Sequence, residues 1–365
     1  MPELWIPYGA VEALVTVQAE NLGAVVDLQP ERAAVEAERL AERVKGAASL
    51  FVCDASPTTS ELLKELSAAI LAAPQLKVYS AAPRRVETAV PELKGRIATL
   101  PPPVPAAEGG AFMAPELTEG GTKLFIATPR PDPLFGMVDA RVAACLNWVA
   151  RSRAEAARAR KEMEPTPFEM TRSKEVADAL ARGITGARFL DIIPRGGKVR
   201  AVMEDAPFDA LRNAFAESAV QPAKAVVVGA GGRGYDDTLS SAIRTAWYAL
   251  GGARKAGTVL LMAECSEGLG STALEMAATG RTLGDGRRRD AYVDGAEDVL
   301  YLSKLREEYD VLLLSGLPEV YAKSKLGLTT ARGAGEAVVR LLSKLGKTGK
   351  MNVVTRANEC RLVPA

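Results

Sequence analysis

Apolar and polar positions follow their clearest pattern in the second half of the chain. Apolar runs at 225–228 and 258–263 predict two buried strands, and the segment 238–250 between them predicts a helix. Two strands joined by one such helix form a βαβ crossover, so the strands are parallel. The two turns that follow the strands, one glycine-rich and one polar, then lie at the edge where open α/β sheets bind ligands.

The same pattern of apolar runs and helical segments continues on both sides of this unit. Further strands are predicted at 49–52, 76–79, 123–127 and 311–315, and helices at 30–45, 60–71 and 333–345. This order predicts an α/β protein with two domains, each a mainly parallel sheet flanked by helices. We place an N-terminal domain at 1–205 and a C-terminal domain at 206–349, and expect the strand-like tail 350–365 to complete the first domain.

Length and composition fit this interpretation and narrow the class of protein. A chain of 365 residues exceeds what one hydrophobic core usually serves. Its net charge of +1 gives no excess to attract nucleic acid or an anionic membrane. No apolar run approaches the roughly 18 residues of a membrane span, and the first residues lack a signal-peptide pattern. We therefore expect a cytoplasmic protein that binds neither nucleic acid nor membrane.

Two basic stretches are interpreted as solvated. The first, 151–163, is predicted to be an exposed helix, because acidic residues interleave its basic ones, and the second, 284–290, a solvated loop that could alternatively contact a phosphate. Few Asn and Gln, with many Ala, Arg and Glu, are typical of a thermophile protein. The sequence leaves a homo-oligomer open.

The chain contains no histidine. Imidazole is the usual general base near neutral pH and the commonest metal ligand, so Ser-His-Asp, Cys-His and His-zinc sites are excluded within one chain. The four cysteines (Cys53, Cys145, Cys265 and Cys360) lie far apart without a C-x-x-C pair, and we interpret them as buried thiols. No metal site is predicted.

The glycine-rich turn from Gly229 to Gly234 matches G-x-G-x-x-G, and Glu264 ends the next strand where a ribose-binding acid lies in dinucleotide sites. A nicotinamide-dependent oxidoreductase is therefore one alternative. Against it, Asp236 and Asp237 place negative charge where a pyrophosphate would bind. Asp237 is predicted instead to cap the following helix.

The turn GGRGYD (231–236), followed by a helix and GTVLLMAECSEGLG (257–270), resembles the nickel-dependent lactate racemase family, the LarA-like proteins. Those proteins pair a GG-Y-P-x-D turn with a G-G-x-I-I-x-V-A-x-C-x-x-G-x-G segment. The opening IPYG (6–9) is similar to the family's opening. Asp54 in CDASPTTS falls at the family's D-H-T-R-P turn, and Arg85 with Thr88 at its G-F-H-R-P-S-T segment.

The resemblance implies a two-domain α/β protein that holds a nickel pincer nucleotide between its domains. In the family a lysine tethers this cofactor, one histidine binds nickel, and two more exchange the alpha proton of a 2-hydroxy acid. Here Arg84 stands at one catalytic histidine and Leu134 near the other. Arg141 matches a family arginine, Val142 takes the place of the tethering lysine, and Ala55 replaces the histidine of D-H-T-R-P. The family's cofactor is thus expected from the resemblance but not supported by these residues.

Two interpretations compete for the positions that survive. In one, glycines and acids persist because turns and helix caps require them. In the other, arginines from separate strand ends converge on an interdomain crevice and bind a small anion. The cofactor-binding candidates are Asp54, Ser56, Gly231, Gly232 and Asp236. The substrate-binding candidates are Arg84, Arg85, Arg130 and Arg244, with Arg233 nearby. The catalytic candidates are Arg84, Arg244 and Glu264.

The sequence thus predicts a LarA-like racemase or epimerase superfamily protein that has lost the nickel-pincer histidine chemistry. Its ligand is expected to be a small carboxylate or a nucleotide-like anion. If it is an enzyme, it is an isomerase without histidine acid/base catalysis. A non-catalytic sensor or assembly subunit is the alternative from another class.

Overall fold

The computed structural model describes residues 2–31, 37–100, 114–149, 168–281, 293–346 and 348–365. The chain divides into two compact units, which we call the terminal unit (Met1–Gln29 with Phe215–Ala365) and the middle unit (Pro30–Ala214). Strands and helices are numbered separately along the chain. The two basic stretches noted above lie outside the described residues.

The middle unit is built on one sheet and a small hairpin. Its described strands are β4 (Ser49–Val52), β5 (Lys77–Ser80), β6 (Ile97–Ala98), β7 (Lys123–Ala127), β8 (Arg130–Asp132), β9 (Gly136–Val138), β10 (Ala187–Arg195) and β11 (Lys198–Glu204). The sheet has the order β11-β10-β7-β4-β5-β6 and is parallel except for β11. Strands β8 and β9 pair with each other in antiparallel fashion.

Helices cover this sheet, and the strand side chains pack on both of its faces. The described helices are α1 (Ala37–Gly46), α2 (Pro57–Leu71), α3 (Pro83–Ala89), α4 (Pro115–Thr118), α5 (Ala140–Trp148), α6 (Arg172–Arg182) and α7 (Phe208–Ala214), with a 3-10 turn at Pro91–Leu93. On one face, Leu50 and Val52 join an aliphatic core with α2. On the other face, the Phe51 ring stacks on the Phe125 ring with 4.5 Å between ring centroids. It contacts the Trp148 ring edge-on with 5.2 Å between centroids. Burial on both faces explains why these strands read as continuous apolar runs.

The terminal unit is built on a second, fully parallel sheet. Its described strands are β1 (Glu3–Tyr8), β2 (Val11–Thr16), β3 (Leu22–Val26), β12 (Ala216–Val220), β13 (Ala223–Gly229), β14 (Ala253–Met262), β15 (Asp310–Leu314), β16 (Thr329–Ala331), β17 (Met351–Val354) and β18 (Cys360–Pro364). The main sheet has the order β16-β15-β14-β13-β17-β3. Strands β1 and β2 form an antiparallel hairpin, and β12 pairs with β18 in parallel.

Helices pack on both faces of this sheet. They are α8 (Leu239–Ala249), α9 (Thr272–Ala278), α10 (Ala296–Glu308) and α11 (Ala334–Leu345), with 3-10 turns at Ala19–Asn21 and Leu250–Gly252 and a π-helical segment at Val320–Lys325. One core cluster joins Val227, Leu260, Leu312 and Val353 of the sheet with Leu341 of α11. Strands β14, β15 and β16 follow β13 on one side of it in the sheet, and β17 lies on its other side. The strand order therefore reverses between β13 and β17.

The α/β prediction is confirmed. The predicted strands at 225–228 and 258–263 correspond to β13 and β14, and the predicted helix 238–250 corresponds to α8. Within the described ranges, no helix combines the length and the apolar character needed to cross a membrane.

The domain boundaries differ from those expected from the sequence. Residues 1–29 and the tail 350–365 belong with the C-terminal segment, so the tail does not complete a domain of residues 1–205. The reason lies in strand pairing: in β17, Met351 is in register with Ala225 of β13 on one side and Leu22 of β3 on the other. An apolar strand of this kind is stable only between two partners, and the terminal unit provides both.

Candidate functional site

Asp236 anchors the turn after β13 in the terminal unit. Its Oδ2 accepts the Gly9 amide at 2.7 Å and the Glu264 amide at 3.3 Å. Its own carbonyl accepts the Cys265 amide at 2.8 Å. One carboxylate therefore joins the hairpin turn of β1–β2 to the end of β14. This bonding fits the fold-requirement interpretation of a residue that the sequence proposes for cofactor binding.

Gly231 and Gly232 allow two close backbone approaches in the same turn. Gly231 has φ +109°, and a Cβ there would lie 2.2 Å from Asn358 Oδ1. Gly232 has φ +81°, and a Cβ there would lie 3.0 Å from the Cβ of Pro7. Both glycines are explained by backbone geometry and packing inside the unit.

Glu264 and Tyr8 lie beside Asp236 and form a group of polar side chains with it. Asp236 is fully buried, and its Oδ1 has no hydrogen-bond partner among the described residues. Burial raises the pKa of Asp236, the Gly9 and Glu264 amides partly offset this, and the charges of Asp237 and Glu264 add to it. Burial, with Cys265, Glu264 and Asp236, raises the pKa of Tyr8 to about 12.

Glu264 itself is half-buried, with its carboxylate against the hairpin turn. A Cβ at Gly9 would lie 2.1 Å from Glu264 Oε2. Gly9, which sequence reasoning did not single out, therefore leaves the space that the Glu264 carboxylate occupies, and Glu264 remains a candidate acid or base.

The start of α8 does not present a free anion site. Its N-cap is Thr238, whose Oγ1 accepts the Ser241 amide at 3.2 Å, and not Asp237 as expected. The Leu239 and Ser240 amides donate to the carbonyls of Gly268 and Leu269 at 3.0 and 3.1 Å. A dinucleotide fingerprint leaves such amides open for a pyrophosphate, so this geometry disfavours the nicotinamide alternative. Asp237 Oδ1 instead accepts the Gly234 amide at 2.8 Å.

Arg244 on α8 is engaged in a buried ion-pair network. Its Nε donates to Asp298 Oδ1 at 2.7 Å and its Nη2 to Glu297 Oε1 at 3.0 Å. The Ser240 hydroxyl donates to Asp298 Oδ2 at 2.7 Å, and the Arg244 guanidinium lies 5.9 Å from the Tyr301 ring centroid. Glu297 and Asp298, in the first turn of α10, thus already compensate the charge of Arg244, which the sequence proposes for substrate binding.

Asp54 ties together two loops at the carboxyl edge of the sheet in the middle unit. Its Oδ1 accepts the Ser56 amide and the Thr59 hydroxyl, each at 2.8 Å. Its Oδ2 accepts the Thr128 amide at 2.6 Å, which joins the loop after β4 to the loop after β7. The bonds made by Asp54 are those of a loop anchor.

Ser56 is the N-cap of α2 and belongs to a buried group of four hydroxyls. Its Oγ accepts the Thr59 amide at 3.2 Å. Thr128 Oγ1 lies 2.7 Å from Ser56 Oγ, 2.8 Å from Thr58 Oγ1 and 3.0 Å from Thr59 Oγ1. Capping and hydroxyl contacts account for Ser56 without a ligand.

Three of the predicted arginines share one sheet edge. Arg84 and Arg85 lie in the first turn of α3, directly after β5, and Arg130 begins β8 after β7. All three are exposed. Strand β4 lies between β5 and β7, so the two strand ends are roughly 10 Å apart. Arg233 and Arg244 belong to the terminal unit.

Sequence reasoning missed a buried charge cluster in the middle unit. Asp139, the N-cap of α5, lies 2.8 Å from Lys174 Nζ, which also contacts Asp178. Asp191 in β10 accepts the Ala140 amide at 2.8 Å, and its pKa is raised well above its usual value by burial and then by the charge of Asp139. The sequence signal that could have indicated this cluster is an acid, Asp191, inside the apolar run LDII.

The cysteines are buried, as expected. Burial is the main cause that raises the pKa of Cys53, Cys145 and Cys265, so these thiols are held neutral. Within the described residues, no group of three or more Cys, Asp or Glu side chains could hold a metal ion.

Comparison with known proteins identifies the fold. No family model matches the sequence, and no curated protein does. The chain resembles the lactate racemase apoprotein from Thermoanaerobacterium thermosaccharolyticum with a TM-score of 0.74 and 13% identity, over 99% of this chain and 100% of that one. It also resembles a Thermotoga maritima protein solved by a structural genomics consortium, with a TM-score of 0.56 and 12% identity, over 89% and 96% of the two chains. The LarA-like fold expected from the motifs is confirmed.

The residues present do not fit the nickel pincer nucleotide that the resemblance implies. The sequence has no imidazole to bind nickel. Val142, at the position of the tethering lysine, is fully buried in α5. The neutral, buried thiols are poor substitutes, because a thiol binds metal as the thiolate.

Proposed function

We propose that this chain uses the lactate racemase fold to bind a small carboxylate or a nucleotide-like anion, without nickel-pincer histidine chemistry. The fold likeness extends over the whole chain, which supports descent from 2-hydroxy-acid racemases or epimerases. The observation that carries the proposal is the complete lack of histidine on this fold.

Arg84 stands where the resemblance places a catalytic histidine. An imidazole exchanges protons near neutral pH, whereas a guanidinium stays protonated and offers only donors. A guanidinium suits bidentate binding of a carboxylate or phosphate. The substitution therefore replaces proton transfer by anion binding at this position.

The anion is proposed to bind at the carboxyl edge of the middle unit's sheet. Arg84, Arg85 and Arg130 are exposed there and follow β5 and β7, two strands that are separated by β4. Arg244 is excluded from this set because Glu297 and Asp298 already compensate its charge. The edge is the one where open α/β sheets bind ligands.

Isothermal titration calorimetry of the full chain with D-lactate, L-lactate and AMP tests this proposal. We expect at least one of the three to bind, and the R84Q/R85Q variant to weaken binding about tenfold or more. The R182Q/R212Q variant removes the same charge from exposed sites on α6 and α7 and should leave the affinity unchanged. No binding of any ligand would contradict the proposal and favour the non-catalytic assembly subunit. Equal losses in both variants would contradict the assigned site.

A further inference from the structure

We propose a second ligand site, at the amino edge of the terminal unit's sheet, for a phosphate-bearing anion of nucleotide size. A groove of about 830 Å³ lies there, at the start of β13 and β17. Small-molecule sites typically have volumes of roughly 300–1,000 Å³. The groove is far along the strands from the turns of Asp236 and Glu264, which follow the opposite ends of β13 and β14.

Three cations line this groove from neighbouring strands. Lys224 is in β13, Arg254 is in β14, and Lys350 directly precedes β17. The register pairs Ala223 with Ala253 and Ala225 with Met351, so the three cations lie side by side at the strand starts. Adjacent like charges repel each other, and a bound anion would relieve this repulsion.

No acidic side chain balances these cations. None of the residues that line the groove is Asp or Glu. Within the part of the chain that the structure describes, Lys224, Arg254 and Lys350 form no ion pair with a carboxylate. This contrasts with Arg244, whose charge is matched by two acids. The side chains that line the groove therefore carry three positive charges and no negative charge, and the carboxylate of the last residue, Ala365, which also lines the groove, offsets one of them.

Buried asparagines hold the walls of the groove in place. Asn352 is 2% exposed. Its Oδ1 accepts the Ala24 amide at 2.8 Å, and its Nδ2 donates to the carbonyls of Gln221 and Gly252 at 2.9 and 2.8 Å. Asn21 Nδ2 donates to the Gly349 carbonyl at 2.8 Å. A preformed wall lowers the ordering cost of binding.

The cations are oriented on these walls and keep donors for a ligand. Lys224 Nζ donates to the Leu345 carbonyl at 3.1 Å, and Arg254 Nε to the Pro222 carbonyl at 3.0 Å. An ammonium has three donors and a guanidinium five, so both retain several. Three cations match the charge and the many acceptor oxygens of a diphosphate better than those of one carboxylate. Val220, Pro222 and Leu345 add apolar surface for the rest of a nucleotide.

Isothermal titration calorimetry of the full chain with ADP at about 0.15 M salt tests the site, because at this ionic strength long-range attraction between exposed charges is largely screened. We expect ADP to bind, and K224Q/K350Q to weaken it about tenfold or more. The matched control K323Q/K325Q removes two exposed lysines of the same unit and should change the affinity less than about twofold, since these exposed lysines lie outside the groove. Unchanged melting temperatures would show that the variants are folded.

No ADP binding, or equal affinity in the two double variants, would overturn the proposal. The R84Q/R85Q variant separates it from the proposed function, because those arginines lie in the middle unit. We expect the R84Q/R85Q variant to retain saturable ADP binding at the groove, and the further addition of K224Q/K350Q to remove it. If ADP binding is lost in R84Q/R85Q and kept in K224Q/K350Q, the groove site is wrong and the arginine site is supported.

Discussion

At the residue scale, several side chains that the sequence marks for ligand binding are explained by contacts inside their own unit. Asp236 and Asp54 each use a carboxylate to join two loops. Gly231 is required where the backbone has φ +109°. Such residues persist for packing reasons, which the motif alone does not reveal.

Gly9 gives a direct test of this residue-scale account. The G9A variant would strain a backbone at φ +56° and push a Cβ into Glu264 Oε2. We expect it to lower the free energy of unfolding by about 2–4 kcal/mol, as the sum of backbone strain and overpacking. Urea denaturation measures this loss.

The matched control is G268A in the same unit. Gly268 has φ +86°, and a Cβ there would meet no heavy atom of the described residues within 4 Å, so only backbone strain is added. A loss in G268A equal to that in G9A would show that the Glu264 contact contributes nothing.

Asp191 predicts a pH dependence of stability. Its folded-state pKa is raised, chiefly by burial, so the folded chain keeps a proton that the unfolded chain releases near pH 4. Its contribution is therefore largest below pH 4 and falls as pH rises toward the folded-state pKa. The D191N variant keeps an acceptor for the Ala140 amide and removes this loss.

We expect D191N to gain stability relative to the natural chain as pH rises from 4 to 7, measured by urea denaturation at several pH values. The exposed D209N variant is the control and should follow the natural chain. Parallel curves for D191N and the natural chain would contradict the assignment.

At the element scale, the strands that long apolar runs form could be predicted from the sequence, but the strands with which they pair could not. The runs that form β13 and β14 have the length and composition of buried strands. The tail sequence predicts the strand β17 but not that β13 and β3 are its neighbours, because a short apolar run does not encode which strands it joins. The role of Arg244 could not be predicted for a similar reason: its partners lie 53 and 54 residues away.

The ion pair between α8 and α10 leads to a stability prediction. In R244M, Glu297 and Asp298 remain buried without their cation, which should cost about 3–5 kcal/mol. The R340Q variant breaks an exposed pair with Glu336 and should cost less than about 0.5 kcal/mol. Urea denaturation distinguishes them, and a small effect of R244M would support the substrate-binding role instead.

The bonded amides at the start of α8 predict that NADH does not bind at this turn. A fluorescence titration of the full chain with NADH should show no saturable change in fluorescence that the G231A variant abolishes. Saturable binding that is lost in G231A, where a Cβ enters the turn, would restore the oxidoreductase alternative.

At the scale of the whole molecule, the chain has the lactate racemase fold and a sequence without the histidines that the family's chemistry requires. The lactate racemase architecture spans the chain at 13% identity, because parallel strands and capped turns tolerate extensive substitution. The sequence predicts the proposed site only at the level of a sheet edge. Which arginines stay available depends on ion pairs between residues distant in sequence.

The proposed loss of racemase chemistry depends most on the absence of imidazole. The direct test is to express the chain together with the pathway that makes the nickel pincer nucleotide, then measure bound nickel and the interconversion of D- and L-lactate. We expect far less than stoichiometric nickel and no racemisation above background. Stoichiometric nickel with enzymatic racemisation would contradict the central claim.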